Sequence, residues 1–201
     1  GDTFVSGTLQ GFSTGYTASV TFGNITIGNG GTLRNLNDSF TATGDVTVQS
    51  GGLYNSSIGK TDPFGSLTIN SGGTYSATEG ITKITGEADT GYAVDSQSGG
   101  TFTHNSGTLN VTTASTTVVR FEAGTGGPYN METDGSSQVT LRDDVTVGGN
   151  LTVTSGTLQN GASTREYPIS GDVVVAGTLD LSSGGYHSMN SLTISSGGTY
   201  D

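Results

Sequence analysis

The chain repeats a short pattern in which a threonine stands between two apolar residues, and a glycine turn follows within a few positions. Four clear copies begin at Ile25, Val46, Leu67 and Leu192. On a larger scale, the stretch 24–75 matches the stretch 150–200, about 126 residues later. Fixed periods of this kind are the signature of proteins that stack one structural unit on the next.

Each triplet predicts a short β-strand, because alternation with period two puts the outer residues on one face and the middle residue on the other. We therefore expect two inward columns made by Ile25, Ile27, Val46, Val48, Leu67 and Ile69. The middle threonines are expected to form an outward ladder of Thr26, Thr47, Thr68, Thr152 and Thr193. Asparagines near the turns are expected to stack in the same way, namely Asn24, Asn70 and Asn150.

Equivalent triplets lie 19 to 22 residues apart, which is enough for one coil of two or three short strands and their turns. The pattern predicts an all-β fold, a parallel β-solenoid (β-helix) of short strands with about 20 residues per coil. Roughly ten such coils would form a rod about 50 Å long. We predict one continuous solenoid over residues 1–201, with a less regular middle section at 76–145. A separately folded insertion is the alternative for that section.

The composition agrees with a thin core, since 30% of residues are hydrophobic, 11% are charged and 35 are glycine. The net charge of −11 argues against nucleic acid as a partner. No apolar run is long enough to insert into a membrane. The chain has no cysteine, so neither disulfides nor thiolate-bound metals contribute to its stability.

Several phrases of the sequence resemble a known group of proteins. They include Gly100–Leu109, Pro128–Met131 and Val139–Leu158. These are similar to repeat-rich structural and tail-fibre-like proteins of bacteriophage virions, marine phages especially, and to secreted adhesin-like repeat proteins of bacteria. The resemblance covers about 24–200. It implies a structural role outside the cell, at a virion surface or a cell surface, and it brings no catalytic residues.

The residues that carry chemistry are few. Asp143 and Asp144, next to Arg142 and downstream of Glu132 and Asp134, form the densest acidic cluster and are the candidate ligands for Ca²⁺. The two histidines, His104 and His187, are 83 residues apart and are interpreted as polar residues on solenoid turns. We expect no catalytic site and no cofactor other than Ca²⁺ at this cluster.

The sequence therefore predicts a structural repeat module of an extracellular fibre or appendage, and not an enzyme. Its expected partners are other copies of itself or further repeats, stacked end to end, because the long repeat stops at Asp201 in mid-pattern. A cell-surface glycan or receptor is a second expected partner. The alternatives are a polysaccharide-active β-helix enzyme, which needs clustered carboxylates, and an ice-binding solenoid, which needs a flat face two threonines wide.

Overall fold

The computed structural model describes residues 1–11, 20–36, 40–56, 59, 61–161, 164–183 and 185–201, with the backbone alone at Phe40. Over these ranges the chain has no helix and is all β, with parallel strands stacked in about 9 turns roughly 21 residues apart. The predicted parallel β-solenoid is confirmed. At about 4.8 Å per turn, the stack is about 45 Å long.

The strands form the three faces of a prism, and the chain visits the faces in the order 1, 2, 3 on each turn. Face 1 contains β1 (Thr3–Val5), β4 (Ile25–Ile27), β7 (Val46–Val48), β10 (Leu67–Ile69), β13 (Tyr92–Ser96), β16 (Thr117–Phe121), β21 (Thr178–Asp180) and β24 (Thr199–Tyr200). Face 2 contains β2 (Thr8–Gln10), β5 (Thr32–Asn35), β8 (Leu53–Ser56), β11 (Thr74–Ser76), β14 (Thr101–Thr103), β19 (Glu166–Pro168) and β22 (Tyr186–Ser188). Face 3 contains β3 (Val20–Phe22), β6 (Phe40–Ala42), β9 (Thr61–Phe64), β12 (Ile81–Ile84), β15 (Thr108–Val111), β20 (Asp172–Val175) and β23 (Ser191–Ile194).

Two long strands turn the corner between faces 3 and 1. They are β17 (Asn130–Arg142) and β18 (Leu151–Asn160), whose first halves pair on face 3 and whose second halves pair on face 1. Between β14 and β19, face 2 consists of irregular chain. There Phe102 N–H donates to Thr125 O at 2.7 Å, and Val147 N–H donates to Pro168 O at 2.9 Å.

The inward columns lie where the triplets predict them. Leu67 stands in register between Val46 and Val94, and all three side chains are fully buried. Ile25 and Ile27 are also fully buried, and they stand in register with Val46 and Val48. These apolar residues dominate the dry core, because each coil shields its neighbours from water.

The prediction that the five threonines form one ladder is wrong. Thr26, Thr47 and Thr68 do stack on face 1, but Asp95 takes the next position. Thr152 and Thr193 lie on face 3, on either side of Val174. The reason is that the second copy of the repeat occupies different faces from the first.

This change of face is visible in two nearly identical segments, 66–75 and 191–200, which differ only at Asn70 and Ser195. The first runs from face 1 to face 2, through β10 and β11. The second runs from face 3 to face 1, through β23 and β24. The shift arises because the coils of the middle section are longer than the others. Leu67, for example, pairs with Val94, which is 27 residues away and not about 21. The strands of this section, β12 to β16, pair within the same columns as their neighbours.

Side chains at the prism corners form hydrogen-bonded ladders just before the triplets. In the first copy, Asn24 Oδ1 accepts the Asp45 N–H at 2.9 Å, and Asp45 Oδ1 accepts the Ser66 hydroxyl at 2.8 Å. In the second copy, Asn150 Oδ1 accepts the Asp172 N–H at 2.9 Å, and Asp172 Oδ1 accepts the Ser191 hydroxyl at 2.8 Å. Both ladders read Asn, Asp, Ser, so Asn24 and Asn150 occupy equivalent positions at two different corners, each beside an aspartate and not in one column of asparagines.

Asn70 makes no side-chain hydrogen bond within the described ranges, and its neighbours at the same position of adjacent coils are Gln49 and Gln97, not asparagines. The glycine beside each ladder allows the coils to approach closely. A Cβ on Gly65 would lie 2.9 Å from the carbonyl carbon of Gly44 on the neighbouring coil. The ladders therefore depend on both residue types, a small polar side chain and the glycine before it.

An aromatic column fills the inner side of face 2. Leu33, Tyr54, Tyr75 and Phe102 stand in register on successive coils, with the two tyrosine rings 5.0 Å apart. Buried polar groups lie beside this column. Asn35 Nδ2 donates to Asp62 Oδ1 at 2.5 Å, and the Tyr75 hydroxyl lies 2.9 Å from Thr82 Oγ1. Since such groups are costly to bury without a partner, these pairs favour one register of the coils over others.

Candidate functional site: a charged groove between faces 1 and 2

Three of the six lysines and arginines of this acidic chain converge at one corner of the prism. Arg120 in β16 and Arg142 at the end of β17 are register partners on adjacent coils. Arg165 precedes β19 on the next coil and lines the same depression. We call this depression the charged groove; it is lined by Ser98, Arg120, Glu122, Ala123, Arg142, Asp143, Asp144 and Arg165.

Arg120 is held by its neighbours. Its Nε lies 2.6 Å from Asp95 Oδ1, and its NH1 lies 2.8 Å from Glu122 Oε1. The hydrogen bond to Asp95 raises the pKa of Arg120. Its guanidinium also stacks 4.7 Å from the centre of the Tyr92 ring, a favourable cation–π contact. Arg120 is therefore a fixed and neutralised part of the groove wall.

Arg142 differs from Arg120 in that its charge is not neutralised. Its side chain is exposed and donates one hydrogen bond, from NH1 to the Tyr92 hydroxyl at 2.8 Å. No carboxylate oxygen of the described residues lies within 4.0 Å of its guanidinium. A guanidinium has five N–H donors, so most of the donors of Arg142 have no partner among the described residues.

The two candidate ligands of the acidic cluster already have partners. Asp143 Oδ1 lies 2.9 Å from Arg165 NH2, and Asp144 Oδ1 accepts the Glu166 N–H at 2.8 Å. Asp143 has a φ of 66°, a left-handed conformation that ends β17 and is uncommon for residues other than glycine. This turn brings the Asp143 carboxylate to Arg165, and so fixes one wall of the groove.

The groove is one of three depressions that share lining residues. The charged groove itself has a volume of about 400 Å³. On face 1 it continues into a pocket of about 350 Å³, which we call the arginine pocket, lined by Val118, Thr140, Arg142, Asp143, Gly161 and Arg165. On face 2 it continues into a depression of about 450 Å³ beside His104 and Pro128. Together they present donors and acceptors to a polar molecule lying across the coils.

The structure does not gather the acidic residues into a metal site. Asp134 and Glu132 lie away from the groove, where they accept hydrogen bonds from Ser155 and Thr154. No group of three His, Cys, Asp or Glu side chains suited to a metal occurs in the described part of the chain. Ca²⁺ binding at Asp143 and Asp144 stays a prediction that no geometry supports.

His104 lies at a turn, as predicted: its carbonyl oxygen accepts the Gly107 N–H at 2.9 Å, and its Nδ1 accepts the Ser106 N–H at 2.9 Å. The same prediction is wrong for His187. His104 is half-buried and stacks on Tyr129 with 5.3 Å between ring centres. His187 lies within β22, and its Nε2 is 2.9 Å from the Tyr200 hydroxyl. They sit in separate parts of the stack, so they do not form a common site.

The sequence interpretation found Arg142 but missed its neighbours Arg120, Arg165, Tyr92 and Asp95. One signal was available: Arg120 and Arg142 are 22 residues apart, as are Asp143 and Arg165. In a chain with few charges, charged residues separated by one coil length are expected to meet. Tyr92, 50 residues from Arg142, has no comparable signal.

Comparisons with known proteins give no indication of what this site binds. The chain matches no protein-family model, no curated protein and no solved structure. The likeness to phage fibre and bacterial adhesin repeats therefore stays a prediction from short phrases. No helix of the described residues is long and apolar enough to cross a membrane.

Proposed function

We propose that this protein is a stiff structural module of a fibre or appendage on a virion or cell surface, and not an enzyme. The observation that carries the proposal is the unbroken pairing of parallel strands on face 1, from β1 to β24, through about 9 turns. Each coil is held mainly by the coils before and after it, so such a stack resists bending and can be lengthened by adding coils.

The sequence of the first coil supports stacking end to end. Residues 2–10 repeat those at 172–180, with the same amino acid at Asp2, Val5, Gly7, Thr8 and Leu9. The later copy forms β20 and β21, which pair with β23 and β24. A further coil with the sequence of the first, from a repeat or from a second copy of the chain, therefore has the residues needed to continue the stack beyond β23 and β24.

The end-to-end contact is tested by electron microscopy of the purified protein at rising concentration. We expect rods whose lengths are multiples of one module. Ile194→Lys, which places a charge at 48% exposed Ile194 in β23, is expected to leave single modules. Val174→Lys is the matched control, because Val174 is 37% exposed but points outward from β20, which is paired on both sides. Single modules at every concentration would contradict end-to-end stacking.

The surface location is tested separately, by labelling intact source particles or cells with gold-conjugated antibodies against the module. The expected result is gold along thin external fibres. Gold confined to the interior of sectioned cells would contradict the proposal, whatever the purified protein does.

A further inference from the structure

We propose that the arginine pocket binds the acidic group of a polysaccharide, a carboxylate or a sulfate carried on a sugar. This inference goes beyond the structural role and does not depend on it. It rests on the charge, the spacing and the hydrogen-bonding capacity of the residues that line the pocket.

The arginine pocket carries more positive than negative charge. The pocket is lined by two cations, Arg142 and Arg165, and one anion, Asp143, in a chain whose net charge is −11. The Asp143 carboxylate forms an ion pair with Arg165, whereas Arg142 has no carboxylate partner within the described ranges. The pocket thus has an excess of positive charge on an otherwise acidic molecule, which favours an anionic ligand group.

The position beside Arg142 on face 1 has no side chain to pair with it. Asp95, Arg120 and Arg142 form one outward column, in which each residue is the register partner of the next. The following coil places Gly161 beside Arg142, since Gly161 N–H donates to Leu141 O at 2.8 Å. Asp95 neutralises Arg120 from one side, whereas Gly161 offers Arg142 no side chain at all. The carboxylate or sulfate of a ligand fits this position, where the column lacks an acidic residue.

The charged groove adds carboxylates beside the arginine pocket. The Asp144 side chain is exposed, whereas Glu122 is half-buried and already binds Arg120 and the Ser98 N–H. These oxygens would repel a molecule made only of anionic groups, such as a polyphosphate. They accept hydrogen bonds from hydroxyl groups, which a sugar carries next to its acidic group. An acidic saccharide therefore matches both the arginine pocket and the groove.

The test is isothermal titration calorimetry with the whole chain. The probes are an oligogalacturonate, which carries carboxylates, and a heparin-derived oligosaccharide, which adds sulfates. Cellohexaose serves as the neutral control and polyglutamate as the acidic peptide. We expect binding of at least one acidic saccharide, weaker at higher salt, and none of cellohexaose. A preference between the two acidic probes identifies the group that the pocket accepts.

The variants assign the binding to the pocket. Arg142→Gln and Arg165→Gln are each expected to raise the Kd at least about tenfold, because each removes a charge-assisted hydrogen bond. Arg34→Gln is the matched control: Arg34 is exposed on face 2, in β5, and its removal changes the net charge equally. Circular dichroism verifies that all three variants fold, as expected for replacements of accessible side chains.

Three results would overturn the inference. One is the absence of binding to both acidic saccharides. A second is an equal loss of affinity in Arg34→Gln, which would indicate general attraction to charge. The third is equal binding of polyglutamate, which would show that the sugar is not recognised. Rods that assemble normally without any saccharide binding would refute the pocket and leave the structural proposal intact.

Discussion

At the scale of single residues, the solenoid separates two kinds of position that alternate along each strand. Leu67 is fully buried between Val46 and Val94, whereas its neighbour Thr68 is half-exposed on the outer surface. Leu67→Ala should lower the free energy of unfolding by about 2–5 kcal/mol, since it leaves a cavity in a packed core. Thr68→Ser should change it by less than about 0.5 kcal/mol. Urea denaturation of both variants measures the difference, and equal effects would mean that the strand register is wrong.

The buried tyrosines predict how stability depends on pH. Burial, with a smaller effect of nearby Asp62, raises the pKa of Tyr54 and of Tyr75 well above the ordinary value of 10.0. A group whose pKa is raised on folding contributes its full stability below its unfolded pKa, and the contribution is lost as the pH rises above it. The protein should therefore lose stability above about pH 10.

Thermal unfolding followed between pH 8 and pH 11 tests this dependence. The double variant Tyr54→Phe/Tyr75→Phe should lose less stability over that range than the original chain. Tyr186→Phe, at a position that is 63% exposed, should behave like the original chain. If the double variant lost as much stability at alkaline pH as the original chain, groups other than these two tyrosines would be responsible for the loss.

At the scale of strands and corners, the repeated unit is a cassette of a corner residue, a strand, a glycine turn and a second strand. The same cassette bends from face 1 to face 2 in the first copy and from face 3 to face 1 in the second. The ladder of Asn, Asp and Ser is present at both corners. Its hydrogen bonds therefore belong to the cassette and do not depend on which face it occupies.

Replacement of a ladder residue tests the contribution of the corner. In Asn150→Ala the Asp172 N–H loses its acceptor, so the free energy of unfolding should fall by about 1 kcal/mol. Asn70→Ala is the control, because that side chain makes no hydrogen bond in the described structure. Denaturant unfolding of the two variants gives the comparison. Equal values for both would show that the ladder is not stabilising.

The strands, their parallel stacking and their inward residues were predictable, because they depend on neighbours one or two positions apart in sequence. The face that each strand occupies was not predictable, because it depends on the lengths of all the coils that precede the strand. The long coil between Leu67 and Val94 thus moved Thr152 and Thr193 away from the face predicted for them. In the charged groove, only Arg142, Asp143 and Asp144, which are adjacent in sequence, were identified from the sequence. The 22-residue spacing also pointed to Arg120 and Arg165, whereas Tyr92, 50 residues from Arg142, has no such signal.

At the scale of the whole molecule, the chain forms one continuous stack, and its longer middle coils displace the second repeat by one face. The alternative is a stack in which every coil has the regular length, so that both copies would occupy the same faces. The two arrangements differ in the partner of Asn110. In the structure Asn110 stands in register with Lys83, which precedes it by one of the longer coils. A stack of regular coils would instead place Asn110 beside Asp89.

Engineered disulfides distinguish these arrangements most directly, because the chain has no cysteine of its own. Register partners on adjacent parallel strands lie about 5 Å apart at their Cα atoms, within the range that a disulfide spans. Lys83→Cys/Asn110→Cys and Asp89→Cys/Asn110→Cys are oxidised under the same conditions and analysed by peptide mass spectrometry. We expect a disulfide in the first variant and none in the second. A disulfide in the second variant only would contradict the displaced stack.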